Sequence, residues 1–89
     1  MLHDPFQSQL DTAAAPAQNC FEITPSDVED LSFATKGIYV GEGGNISILA
    51  QRSETPVIFT NVPSGAILDV RARKILATNT TAANIIGLV

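Results

Sequence analysis

Cysteine is almost missing from this 89-residue chain, and histidine and tryptophan are equally scarce. Cys20 has no second cysteine with which to close an internal disulfide, and one Cys with one His, His3, falls short of the ligand set of a structural zinc site. No metal and no cofactor is expected. A domain of this length buries only roughly 60% of the surface its unfolded chain exposes. With neither staple available, association with other chains is the remaining source of stability. Positive charge is also in short supply: five Lys and Arg stand against nine Asp and Glu, for a net charge of −4. That balance opposes general attraction to a nucleic-acid backbone or an anionic membrane. Apolar residues make up 45% of the chain, yet no run approaches the ~20 that span a bilayer. The opening MLHDPFQSQL has no basic start followed by an apolar core. No export signal is therefore legible, and a soluble protein is expected. Without such a signal, Asn45-Ile46-Ser47 and Asn79-Thr80-Thr81 match the glycosylation pattern by formula only.

Catalytic groups are sparse for the same compositional reason. His3 precedes any element that could hold it against a nucleophile, and a Cys20–His3 pair has no visible orienting third group. Cys20, at a strand start, is read as a small buried hydrophobe. Asp27, Glu29 and Asp30 crowd one turn, where capping and solubility account for them, and the longer ligand ladder of a calcium loop is missing. The glycine-rich stretch GIYVGEGGNISIL, residues 37–49, invites a phosphate-loop reading. A phosphate loop needs a lysine followed by Ser or Thr and then a helix, whereas Gly41-Glu42-Gly43-Gly44 leads into a segment that alternates like a strand. The glycines are expected to turn a hairpin at Gly43, Gly44 and Asn45.

The chain changes character near residue 20. Residues 1–19 hold Pro5, Pro16, the run Ala13-Ala14-Ala15 and few large apolar groups, a composition that suggests an extended N-terminal arm ordered by a partner. From Cys20 onward, short stretches rich in Ile, Val, Phe and Thr alternate with turn signals about every ten residues. Strands are expected at Cys20–Thr24, at Phe33–Val40 with Ala34, Ile38 and Val40 opposite Thr35 and Tyr39, and at Ile46–Ala50. Further strands follow at Val57–Phe59, through Leu68, Val70 and Ala72, and at Asn84–Val89. Ser26-Asp27-Val28-Glu29 has the form of a capping box and permits one helical turn at most. Val62-Pro63-Ser64-Gly65 suits a type I turn. Burying both Ala72 and Ile75 demands a change of parity, so a bulge is expected at Arg73-Lys74. The apolar ending Ile85-Ile86-Gly87-Leu88-Val89 must be paired within the sheet or against another subunit. The fold expected is all-β: a small antiparallel β-sandwich or barrel-like domain, residues 20–89, of about six to seven short strands behind an N-terminal arm, residues 1–19.

Several blocks in this order carry a family likeness: Phe21-Glu22-Ile23-Thr24-Pro25-Ser26-Asp27 with Asp30-Leu31, Ile38-Tyr39-Val40-Gly41 with Gly43-Gly44, and Val62-Pro63-Ser64-Gly65. Val70-Arg71-Ala72-Arg73-Lys74-Ile75-Leu76-Ala77-Thr78 with Thr80-Thr81-Ala82 completes them. Together they resemble the spike base protein family of tailed phages, prophages and gene transfer agents. The resemblance covers about residues 20–89. It implies a non-catalytic structural protein on the exterior of a virion, joining the capsid shell protein to a spike or fibre protein and assembled in the bacterial host cytoplasm. A homo-oligomer, trimer or pentamer, is expected, with no nucleic-acid or membrane partner. The arm, through Phe6 and Leu10, is the candidate for docking onto the shell. Arg71, Arg73 and Lys74 are candidates for ion pairs with acids of a neighbour. Two other readings fit a small β-module: a capsid-decorating cement protein, and a carbohydrate-binding attachment module, although aromatic rings for sugar stacking are few.

Overall fold

The computed structural model describes residues 16–89. Seven strands follow one another: β1 (Cys20–Ile23), β2 (Gly37–Glu42), β3 (Gly44–Ala50), β4 (Val57–Val62), β5 (Ile67–Leu68), β6 (Ala72–Leu76) and β7 (Ala83–Leu88). Two antiparallel sheets result, one ordered β1-β7-β2-β5 and the other β4-β3-β6. The all-β sandwich expectation holds, and no helix occurs among the described residues. Residues 16–19 run directly into this body, since the Gln18 and Asn19 amides both donate to the Val89 carbonyl. The remainder of the expected arm, residues 1–15, lies outside the described residues.

Period-two patterning builds the core. Ile23, Ile38, Val40 and Ile85 project from the four-stranded sheet, and Ile46, Ile48, Val62, Ala72 and Ile75 meet them from the three-stranded one. Ile38, Val40, Ile46 and Ala72 are completely buried. The apolar C-terminal strand is paired on both sides, with Ile23 opposite Ile85 in β1 and Tyr39 opposite Ile86 in β2. Its aggregation hazard is thereby removed inside the sheet. The expected parity change is also present. Leu49 pairs with Lys74 while the next residue, Ala50, pairs with Ala72, so Arg73 is the extra residue of a bulge. That single insertion lets Ala72 and Ile75 face the same core.

Four expectations are corrected. The glycines at 41–44 do not turn a hairpin: β2 pairs with β7 and β5, while β3 pairs with β4 and β6. Both strands have their edges filled elsewhere, so the chain uses this stretch to cross from one sheet to the other. Gly43 is needed for close approach, because a Cβ there would collide with the Val62 carbonyl oxygen and lie 2.8 Å from the Ser64 nitrogen. Secondly, the run Leu68 to Arg73 is two strands in different sheets. Thirdly, the turn at Pro63 sits one residue later than expected. The Ala66 amide donates to the Pro63 carbonyl, and Gly65 takes the third position at φ 83°, where a type II turn needs a positive φ. Lastly, Thr35 is fully buried rather than sharing Tyr39's outer face.

Candidate interaction surfaces

The connection between β1 and β2, residues 24–36, is bolted along the free edge of β6. Amides of Ser26, Leu31 and Thr35 donate to the carbonyls of Ile75, Arg73 and Ala72. The capping residues form their local bonds without a helix: Ser26 Oγ accepts from the Val28 and Glu29 amides at 3.3 and 3.1 Å. The next turn never closes, because Leu31 spends its donor on β6. Asp27 accepts from the Thr78 hydroxyl at 2.6 Å and from the Thr78 amide at 2.9 Å. The hydroxyl bond first, then the amide bond, hold its carboxyl below the ordinary 3.8. Asp30 lies 3.5 Å from Lys74 Nζ and 3.8 Å from an Arg73 guanidinium nitrogen. This acidic turn therefore clamps a strand edge. Among the described residues no group of three His, Cys, Asp or Glu side chains could hold a metal ion.

Two buried polar residues, Thr35 and Ser47, were missed by sequence reasoning, and Thr35 is the one with a buried hydroxyl bridge. Its hydroxyl donates to the Val70 carbonyl at 2.9 Å and accepts from the Ala72 amide at 3.0 Å. Both partners lie where the chain leaves β5 for the other sheet, so one buried hydroxyl satisfies the backbone at that crossing. Alternation along the strand assigned Thr35 outward, and no local signal marks it as the exception.

The sequence-predicted contact residues separate into three groups. Phe6 and Leu10, like His3, lie outside the described residues. Arg73 and Lys74 are engaged within the chain, Arg73 also donating to the Ser53 carbonyl at 3.1 Å. Arg71 is exposed, and no ion pair joins it to a described residue. Cys20 is exposed rather than buried. Phe21 and Ile23 take the inward positions of β1, so Cys20 faces out on an edge strand.

Apolar surface was not anticipated either. On the outer face of the four-stranded sheet, Ile86, Tyr39 and Ile67 stand side by side on β7, β2 and β5, with Tyr39 39% and Ile67 65% exposed. Leu88 lies beside them, between Cys20 of β1 and Gly37 of β2. On the other sheet, the edge strand β4 exposes Val57 and Ile58. Phe33 is 64% exposed and packs edge-on to Phe21, with ring centroids 6.3 Å apart.

The described residues thus form a small β-sandwich with apolar surface on one sheet face and one edge, while its acidic turn is spent on internal clamps. A chain in the solved structure of the capsid of a native gene transfer agent (GTA) particle, computed with C5 symmetry, superposes on it at a TM-score of 0.81. The two are 34% identical over 98% of this chain and 100% of that one. The protein belongs to the family of that capsid-particle chain. No protein-family model matches the sequence, and no curated protein does.

Proposed function

We propose that this protein is a non-catalytic virion structural component, the base of a head spike or fibre on the capsid exterior. The observation that carries this reading is the end-to-end match to a chain of the GTA capsid structure. The blocks resembling the spike base family supply the finer assignment, with the capsid shell protein on one side and a spike or fibre protein on the other. The protein works as a cyclic homo-oligomer. Three or five copies close such a ring, which needs two different patches on each copy that complement one another. Phe6, Leu10 and Arg71 are its partner-contact residues, Arg71 being exposed and without an ion pair among the described residues; Arg73 and Lys74, expected beside it, are held by Asp30.

The decisive experiment measures the native mass of the purified full-length protein, alone and mixed with the shell and spike proteins of its own particle. A closed oligomer that binds both proteins is the expected result. A stable monomer that binds neither overturns the proposal.

A further inference from the structure

The outer face of the β1-β7-β2-β5 sheet carries a continuous apolar stripe. Inward positions Ile38 and Val40 are fully buried, so alternation sends Tyr39 outward, flanked in register by Ile67 and Ile86. Leu88 and Gly37 extend the stripe towards Cys20. Acids border it: Glu22 lies opposite Ile86 at the β1 side, and Asn84, two residues before Ile86 on β7, donates to Glu42. The sheet therefore exposes apolar side chains on the face turned away from its core, where a solitary domain would place polar ones.

What covers this face is indicated by where the described chain starts. Gln18 and Asn19 donate to the Val89 carbonyl, and the Val89 amide donates back to Asn19. The chain thus joins the sheet at the end where Leu88 stands, in the same row as Cys20. Residues 1–15 precede it, with Met1, Leu2, Phe6 and Leu10 as their large apolar side chains. From Phe6 to Pro16 the chain reaches up to ~33 Å, which is ample to cross the face of an adjacent molecule. In the cyclic homo-oligomer proposed above, that reach serves the face of the neighbouring copy.

We infer that residues 2–10 of one copy lie across the Ile86–Tyr39–Ile67 face of the next, Phe6 and Leu10 filling the apolar stripe. This exchange rests on the cyclic homo-oligomer proposed above and names the contact that closes it. It also provides the apolar burial that a domain this small lacks alone.

Cys20, on the same face, makes the exchange measurable in the isolated full-length protein. Its reaction with a thiol reagent is expected to accelerate at least tenfold when residues 2–15 are deleted. In the Phe6→Cys variant, mild oxidation should link Phe6→Cys to Cys20 of the next copy and give a ladder of covalent multimers on a non-reducing gel. Ile67→Asp should abolish the ladder without altering the far-ultraviolet circular dichroism. An intrachain disulfide in a monomer-sized band overturns the inference in favour of the chain's own segment. Equal thiol reactivity with and without residues 2–15 overturns it outright, including where the thiol becomes protected only in assembled particles. Native mass keeps the two proposals apart: an oligomer with an unprotected Cys20 refutes the exchange alone, whereas a monomeric wild type refutes the ring on which it rests.

Discussion

Replacing Thr35 by valine removes one oxygen from the interior and leaves the shape nearly unchanged. In the native chain that oxygen donates to the Val70 carbonyl and accepts from the Ala72 amide, at 2.9 and 3.0 Å. The residue is fully buried, so water cannot take over either bond. Each backbone group left unsatisfied costs about 1–3 kcal/mol, and the pair about 3 kcal/mol taken together. Domains of this kind are stable by only about 5–15 kcal/mol in total. Urea denaturation of Thr35→Val, with a slope near 1–1.5 kcal/mol per molar for a chain this short, should show a midpoint ~2 M lower. Thr35→Ser retains both bonds and gives up one methyl, about 1 kcal/mol. Association raises apparent stability, so all three proteins are compared at one concentration with native mass recorded. A Thr35→Val midpoint within ~0.5 M of wild type, or a Thr35→Ser midpoint equally low, refutes the assigned role of the hydroxyl.

Three further outcomes follow from the same structure. Gly43→Ala drives a Cβ into the Val62 carbonyl and should cost about 3 kcal/mol. Gly65→Ala meets open space at φ 83° and should cost about 1 kcal/mol; thermal denaturation showing the reverse order contradicts the sheet-crossing role of Gly43. Asp27 has a folded-state pKa below its unfolded 3.8, so its contribution is present above that value and is lost as pH falls through the depressed one. Asp27→Ala should accordingly melt slightly below wild type at pH 7, with the gap closing below pH ~4; a gap that persists in acid argues against the Thr78 bonds. Arg73→Glu breaks the Ser53 and Asp30 contacts and should lower the melting temperature. Arg71→Glu should leave the folded circular dichroism spectrum unchanged and weaken assembly by size-exclusion chromatography; full assembly of the Arg71→Glu variant removes Arg71 from the partner surface.

The clamp along β6 accounts for much of what the sequence made legible and for what it concealed. Ser26, Asp27 and Glu29 advertise a cap, and half of it forms: Ser26 Oγ accepts from the Glu29 amide, while the Ser26 amide that Glu29 would hold donates to Ile75. The helix they announce does not form, because Leu31 donates to Arg73 across the sheet. A similar split appears at the apolar residues of β2 and β7. Alternation marked Ile38 and Val40 as core, but the outward Tyr39, Ile67 and Ile86 join into one surface only after β5, β2 and β7 are placed side by side. Contact residues were sought among charges, yet Arg73 and Lys74 are occupied by Asp30 from a distant loop. Thr35 was assigned outward by the same alternation that succeeded at its neighbours.

By itself the sequence determined the all-β class, inward residues such as Ile38, Val40, Ile46 and Ile48, and the change of parity at Arg73-Lys74, because a two-residue period links face to position without reference to any partner. Tertiary structure alone decided which sheet each strand joins, that Gly43 is a crossing rather than a reversal, and that an apolar stripe is left exposed. Edge-to-edge pairing depends on backbone groups that every residue shares, so side-chain order along the chain carries no record of the neighbour chosen.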